Sequence, residues 1–309
     1  MDEIGDWALE AATAAGASYA DVRVEEARTR SLTTKNGKLG HALDDESQGV
    51  GVRVICGGAW GFAASDATSR GAVEVTARRA VEIARASARV PQKELRLAAE
   101  PAHQAVWVAP CRVDPFTVSV ERGLDLLLAV DKELRAVKGV TLAEAQMHFQ
   151  RQHQLFLSSE GSRIEQTRVL SGAGYVALAF ANGDIQKRSY PNSFGGQYQL
   201  KGYELIDELD LLGQARRVGE EAVALHQAAQ CPQTTGTLIL DSSQLGLQIH
   251  ESIGHPIELD RVLGTEANFA GMSFLTLDKW KKLRYGSPLV HVVADARLEH
   301  GPGLGTFAY

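Results

Sequence analysis

Apolar and polar positions follow two periods along this chain. From Trp7 to Ala15 apolar residues recur at helical spacing behind Asp6, a suitable N-cap, and the pattern stops at Gly16. From Tyr19 the period becomes two: Ala20, Val22 and Val24 against Asp21, Arg23 and Glu25, then Leu32 and Thr34, an Asn36-Gly37 turn, and Val50 to Ile55. That alternation around an Asn-Gly pair predicts antiparallel hairpins. Gly57-Gly58-Ala59-Trp60-Gly61-Phe62 lacks both the Lys-Ser/Thr ending and the G-x-G-x-x-G spacing of phosphate loops, so a strand-turn-strand corner is expected. Ser69 to Arg89 reads as an amphipathic helix with Val73, Ala77, Ala80, Val81 and Ala84 on one face, ended by Pro91.

The same order then recurs. A stretch with Pro101, Pro110 and Pro115 leads to a helical pattern from Val118 to Lys138, with Leu126, Leu127, Leu128 and Leu134 as core candidates. Alternation follows from Thr141 to Phe180, interrupted by a Glu160-Gly161 turn, and a further helix is expected from Leu205 to Ala229. The predicted fold class is α+β: a helix-plus-antiparallel-hairpin N-terminal domain over residues 1–230, with a duplication expected as 1–100 and 115–230. Thr235 to Leu240 is rich in β-formers and Pro288 to Asp295 is strand-like, so a β-rich domain is expected from 231 to 309. Its ending, Gly301-Pro302-Gly303-Leu304-Gly305-Thr306-Phe307-Ala308-Tyr309, is a glycine-rich turn and an aromatic pair, and the domain is expected to be incomplete.

Composition narrows the class of protein. The 309 residues are 44% hydrophobic and 23% charged, with a net charge of −6 and mixed signs throughout. No basic cluster could track phosphates, so nucleic acid is a poor partner. Cys56, Cys111 and Cys231 are odd in number and widely spaced, without a C-x-x-C pair, which predicts neither a disulfide framework nor a cysteine-only zinc site. The acidic N-terminus and the absence of a run of about 18 apolar residues predict a cytoplasmic protein that does not span a membrane.

The candidate chemistry lies in His250-Glu251-Ser252-Ile253-Gly254-His255, an H-E-x-x-x-H sequence one residue longer than the H-E-x-x-H zinc signature. On a regular helix residues five apart stand about 140° apart, against about 40° for a spacing of four. Two geometries could bring the rings together. Gly254 could turn left-handed and Pro256 could hold His255 extended, ending the helix, or a π-bulge could do so within it. Neutral imidazoles suit Zn²⁺, and Glu251 is placed to act as a general base beside a ligand. Glu258, Asp260 and Asp295 are candidates for orienting the imidazoles through their second nitrogen.

The run from Leu247 to Arg261 resembles the signature of the TldD/PmbA family, once called modulators of DNA gyrase. Tyr19 to Arg23, Lys35 to Lys38, Gly49 to Val54 and Gly58 to Ala63 are similar to its opening hairpins, so the resemblance spans the chain. It implies an α+β domain followed by a β-rich domain carrying the metal. It implies His250 and His255 as zinc ligands, Glu251 as catalytic acid/base, and a cysteine far toward the C-terminus as third protein ligand. No cysteine follows His255 here and Cys231 is too early, so a fragment lacking the last strands is expected. The resemblance further implies a zinc-dependent peptidase subunit acting on unfolded or extended polypeptides, paired with a PmbA-like subunit or with itself, and inactive as a fragment. The competing expectation is a non-catalytic scaffold or partner subunit carrying a relic motif. A regulator of gyrase or DNA is disfavoured by the acidic balance. His148 and His153, five apart in a strand, are read as surface or packing residues on opposite faces. His291 and His300 are weak substitutes for the third ligand, Arg78-Arg79 a solvated face, and Trp60, Trp107 and Trp280 core or interface anchors.

Overall fold

A computed structural model describes residues 1–90, 95, 97–192 and 196–294. The described chain divides into two units, residues 1–228 and 229–294. In the first, helix α1 (Asp2–Ala14) is followed by strands β1 (Tyr19–Lys35), β2 (Lys38–Cys56) and β3 (Ala59–Ser65) and helix α2 (Arg70–Ser87). After a short strand β4 (Gln104–Val108), the order returns: helix α3 (Val120–Ala136), strands β5 (Val140–Ser158), β6 (Arg163–Ala181), β7 (Asp184–Tyr190) and β8 (Gln197–Leu200), then helices α4 (Glu204–Glu208) and α5 (Leu211–Ala224). All strands join one sheet in the order β3-β2-β1-β5-β6-β4, with β7 and β8 also on β6.

The turns follow from local chemistry. Asn36 and Gly37 both take positive φ, 49° and 76°, the conformation a two-residue turn needs to match strand twist. Gly57 and Gly58 do the same between β2 and β3. Gly61 has another role: a Cβ there would lie 2.1 Å from the Ala80 carbonyl oxygen, so its lack of a side chain lets β3 approach α2.

The two halves meet through β1 and β5, antiparallel from Asp21 opposite Ser158 to Lys35 opposite Glu144. Even-numbered residues of β1 and odd-numbered residues of β5 face the helices. Val22, Val24, Leu155 and Leu157 pack with Val73, Ala77, Ala80, Val81 and Ala84 of α2. Leu32, Met147 and Phe149 pack with Leu127, Val130 and Leu134 of α3 and with Ala215 and Val218 of α5. The opposite face of β5 carries Gln146, His148, Gln150, Gln152 and Gln154, all half-buried. His148 lies there beside the Tyr198 ring, and burial lowers its pKa, while His153 faces the other way and pairs with Glu165 at 2.9 Å. Among the described residues neither belongs to a cluster that could hold a metal.

A polar cluster occupies the helix-facing side between the two cores. The guanidinium groups of Arg28, Arg30 and Arg151 lie 4.9, 5.4 and 5.2 Å from the centre of the Phe116 ring. Arg30 is buried and donates to the carbonyl oxygens of Pro115 and Val118 and to Asp44, which ties β1 and β2 to the segment before α3. Asn36 accepts from the Ala143 backbone N–H and donates its own to the Ala143 carbonyl, so the β1–β2 turn is fastened to β5.

Several expectations are corrected. The linker before α3 contributes β4, parallel to β6 from Gln104 opposite Arg163 to Val108 opposite Thr167. The single helix expected from Leu205 is two, broken at Asp210, which takes φ 47°. Thr235–Leu240 and the described part of Pro288–Asp295 form no strand, and residues 229–294 hold short helical segments joined by turns and irregular chain. A strand needs a ladder partner, and among the described residues no segment supplies one. Leu238 and Ile239 stand 77% and 89% exposed, so β-propensity had no surface to act on. Pro91, Asp295, His300 and the 301–309 tail lie outside the described residues. No described helix is long and apolar enough to cross a membrane.

The hydrogen bonds from Arg28 and Arg30 hold the Asp44 carboxyl at about 2, against the opposing effect of burial. Because folding depresses this pKa, its stabilisation is complete above the unfolded carboxylate value of about 4 and is lost as pH falls through 2. Asp44→Asn is expected to cost about 1 kcal/mol at neutral pH, the full shift being discounted for exposure, and the difference from wild type should shrink at pH 3. Urea melts at both pH values measure this, and an equal cost at both would assign Asp44 no acid-linked role.

Candidate metal centre

The second unit is organised around one helix and its ending. Helix α6 (Ser242–Ile249) begins at Asp241, whose carboxylate accepts from the backbone N–H and the hydroxyl of Ser243 at 2.9 and 2.8 Å. That contact lowers the Asp241 pKa, the backbone hydrogen bond being the larger cause. The helix then widens into a π-turn, His250–Gly254, closed by the His255 N–H donating to the His250 carbonyl oxygen. A short 3₁₀ turn, His255–Ile257, and helix α7 (Leu259–Leu263) follow.

The π-turn solves the spacing problem. An i→i+5 hydrogen bond sets residues five apart nearly one above the other, so the His250 and His255 rings lie 4.2 Å apart between centres, tilted by 49°. The helix-ending alternative is excluded: Gly254 is right-handed at φ −54°, and His255 stays helical at φ −62°, ψ −43° although proline follows. Gly254 matters for space instead of conformation. A Cβ there would lie 3.2 Å from Cδ2 of His250, where the ring now passes over the backbone.

Donor atoms of His250, Glu251 and His255 lie within 4.8 Å of one another. Two imidazoles and a carboxylate so disposed fit a first-row divalent ion such as zinc. His250 Nδ1 is 3.2 Å from Glu251 Oε1. His255 Nδ1 is 2.8 Å from Glu258 Oε1, which leaves Nε2 as its free donor. Hydrogen bonding from His255, opposed by burial and reinforced by Arg261, holds the Glu258 carboxyl below its usual range. Asp260 is turned elsewhere, accepting the Arg261 backbone N–H at 2.8 Å. Cys231 and His291 are not in the cluster.

Three contacts that the sequence reading did not single out brace this helix end. The Tyr285 hydroxyl donates to the Ser252 carbonyl at 2.8 Å, inside the π-turn. The Ser273 hydroxyl donates to the Pro256 carbonyl at 2.6 Å, and Arg261 Nη1 to the Ala270 carbonyl at 3.0 Å. The first two join residues 17 or more apart and leave no local pattern. The one legible signal was the helical i, i+3 spacing of Glu258 and Arg261.

Comparison with known proteins bears on this arrangement. The family model described as PmbA/TldA metallopeptidase domain 1 matches residues 20–84, and that described as the PmbA/TldA metallopeptidase central domain matches residues 113–226. The chain is 29% identical over 295 residues to the metalloprotease MJ0996 of Methanocaldococcus jannaschii, covering 94% of this chain and 60% of that protein. It is 28% identical to a metalloprotease of Methanothermobacter thermautotrophicus, covering 94% and 59%. Against a metalloprotease TldD homolog of Haemophilus influenzae it is 23% identical, covering 92% and 57%. The chain thus spans about 60% of the length of these relatives. Its fold is similar to that of a putative modulator of DNA gyrase from Bacteroides thetaiotaomicron, with TM-score 0.65 and 15% identity, covering 84% of this chain and 59% of that one.

Gly254→Ala is expected to push the His250 ring by a few tenths of an ångström while leaving the helix formed, because its φ suits any residue. Cross-ring nuclear Overhauser contacts between His250 and His255 should weaken. Unchanged contacts would show that the missing Cβ is not what lets the rings approach.

Proposed function

The chain belongs to the PmbA/TldD metallopeptidase family, and on that premise we propose that it is a TldD-type subunit of a zinc-dependent peptidase acting on unfolded or extended polypeptides. The observation that carries this reading is the convergence of His250, Glu251 and His255 on one π-turn. A family subunit without peptidase chemistry has no need to widen a helix so that two imidazoles meet.

His250 and His255 would hold the ion, His255 through the Nε2 that Glu258 leaves free. Bound zinc would supply Lewis acidity, polarising the scissile carbonyl and making water a better acid. Glu251, adjoining His250 and 59% exposed, reaches solvent and can take a proton on its carboxylate from the attacking water. The same oxygen then returns that proton to the leaving amine nitrogen. Glu258 holds the His255 ring in one orientation through Nδ1. An extended substrate recognised by main-chain hydrogen bonds would be bound with little regard to side chains, which accounts for an unfolded polypeptide as substrate. We assign a PmbA-like subunit, or a second copy of this chain, as the partner, and the cytoplasm as the place of action, where the three free cysteines stay reduced.

Zinc content and casein hydrolysis in the presence of a PmbA-like subunit test the reading. His250→Ala is expected to lose zinc. Glu251→Gln is expected to keep zinc and to lose hydrolysis by about a hundredfold or more. Stoichiometric zinc absent from the wild-type assembly would instead assign the chain a scaffold role.

A further inference from the structure

We propose that Arg261 is a positioning residue for the metal-binding pair, acting through Glu258 to fix which nitrogen of His255 is free. A neutral imidazole carries its proton on either nitrogen, and the partner of one decides the availability of the other. Here that partner is Glu258, whose side chain is 40% exposed and free, on its own, to leave the imidazole for water. A lone exposed carboxylate contact of this kind is weak and costs side-chain entropy to maintain.

Arg261 changes this. Its Nε lies 2.5 Å from Oε2 of Glu258, an ion pair whose N–H is not aligned for a hydrogen bond, while Oε1 of the same carboxylate faces His255. The far end of the guanidinium donates from Nη1 to the Ala270 carbonyl oxygen, and the side chain is 24% exposed. Ala270 is itself fixed by its N–H to the Glu266 carbonyl, and Ser273 N–H returns to the Arg261 carbonyl. The resulting chain of contacts, Ala270–Arg261–Glu258–His255, runs from a closed turn to the imidazole. Arg261 reaches the carboxylate oxygen that does not face His255. A planar guanidinium can pair with a carboxylate along one edge while donating from another to a carbonyl, whereas a lysine ammonium on a flexible stem cannot do so with the same geometry. The ion pair itself adds little stability, being partly exposed; what it supplies is the orientation of Glu258.

This inference rests on the reading of His255 as a ligand only for its consequence, since the ring's tautomer exists without metal. The test is long-range ¹H–¹⁵N spectroscopy of the imidazoles in the metal-free chain, at a pH well above the ordinary histidine value, followed by zinc titration against a competing chelator. Wild type is expected to hold His255 with its proton on Nδ1. Arg261→Gln should shift the population toward the Nε2–H form and weaken zinc binding about tenfold. Arg261→Lys should restore part of the Nδ1–H population. Ser273→Ala, which loosens the same loop at Pro256 without touching Glu258, should leave the tautomer as in wild type. An unshifted tautomer in Arg261→Gln, or an equal shift in Ser273→Ala, overturns the proposal and makes Arg261 a loop fastener. A tautomer that shifts as expected while zinc affinity stays as in wild type keeps the positioning role and removes its consequence for the metal.

Discussion

The pairing of β1 with β5 is the constraint on which the first unit depends. Both apolar cores are built on these two strands, one from Val22, Val24, Leu155 and Leu157, the other from Leu32, Met147 and Phe149. A slip of one residue would turn all of these side chains to the polar face together. The register is held by contacts outside the ladder as well. Asn36 grips Ala143 at one end, and buried Arg30 reaches Pro115 and Val118 near the middle. Since the buried Arg30 cannot be desolvated without partners, the three arginines around Phe116 and their carboxylates also make the gap between the cores a specific contact.

In the second unit the organising element is local. The helix end is defined by one unusual hydrogen bond, from His255 to the His250 carbonyl, and by tethers from Ser273 and Tyr285 to neighbouring carbonyls. Those tethers satisfy carbonyl groups that a widened turn and a following proline leave without helical partners. The arrangement of the candidate ligand side chains is therefore set by backbone geometry first and by side-chain contacts second.

Much of the first unit was legible in the sequence because its signals are short-range. The face of α2 could be read from the spacing of Val73, Ala77, Ala80, Val81 and Ala84, all of which are buried, and the hairpin from Asn36-Gly37. Strand β4 was not legible, since its partners lie about sixty residues away and its exposed side chains show no alternation. Thr235–Leu240 failed for the converse reason: composition favours a strand, but pairing decides one. At the metal centre the sequence placed His250, Glu251 and His255 as candidates and left two backbone geometries open, because Gly254 and Pro256 both resemble helix-ending residues. The i→i+5 hydrogen bond and the right-handed dihedrals of Gly254 and His255 distinguish them.

The π-turn also bears on how such sites can be found. One extra codon inside a helix has two outcomes: every later residue rotates by about 100°, or a single widened turn absorbs the insertion and the rest of the helix keeps its facing. His250–Gly254 is the second outcome. A pair of histidines four apart on a regular helix and a pair five apart across such a turn present their rings to the same place. Searches keyed to a fixed number of intervening letters will separate sites that chemistry would group, and a pattern tolerant of one inserted residue should reunite them.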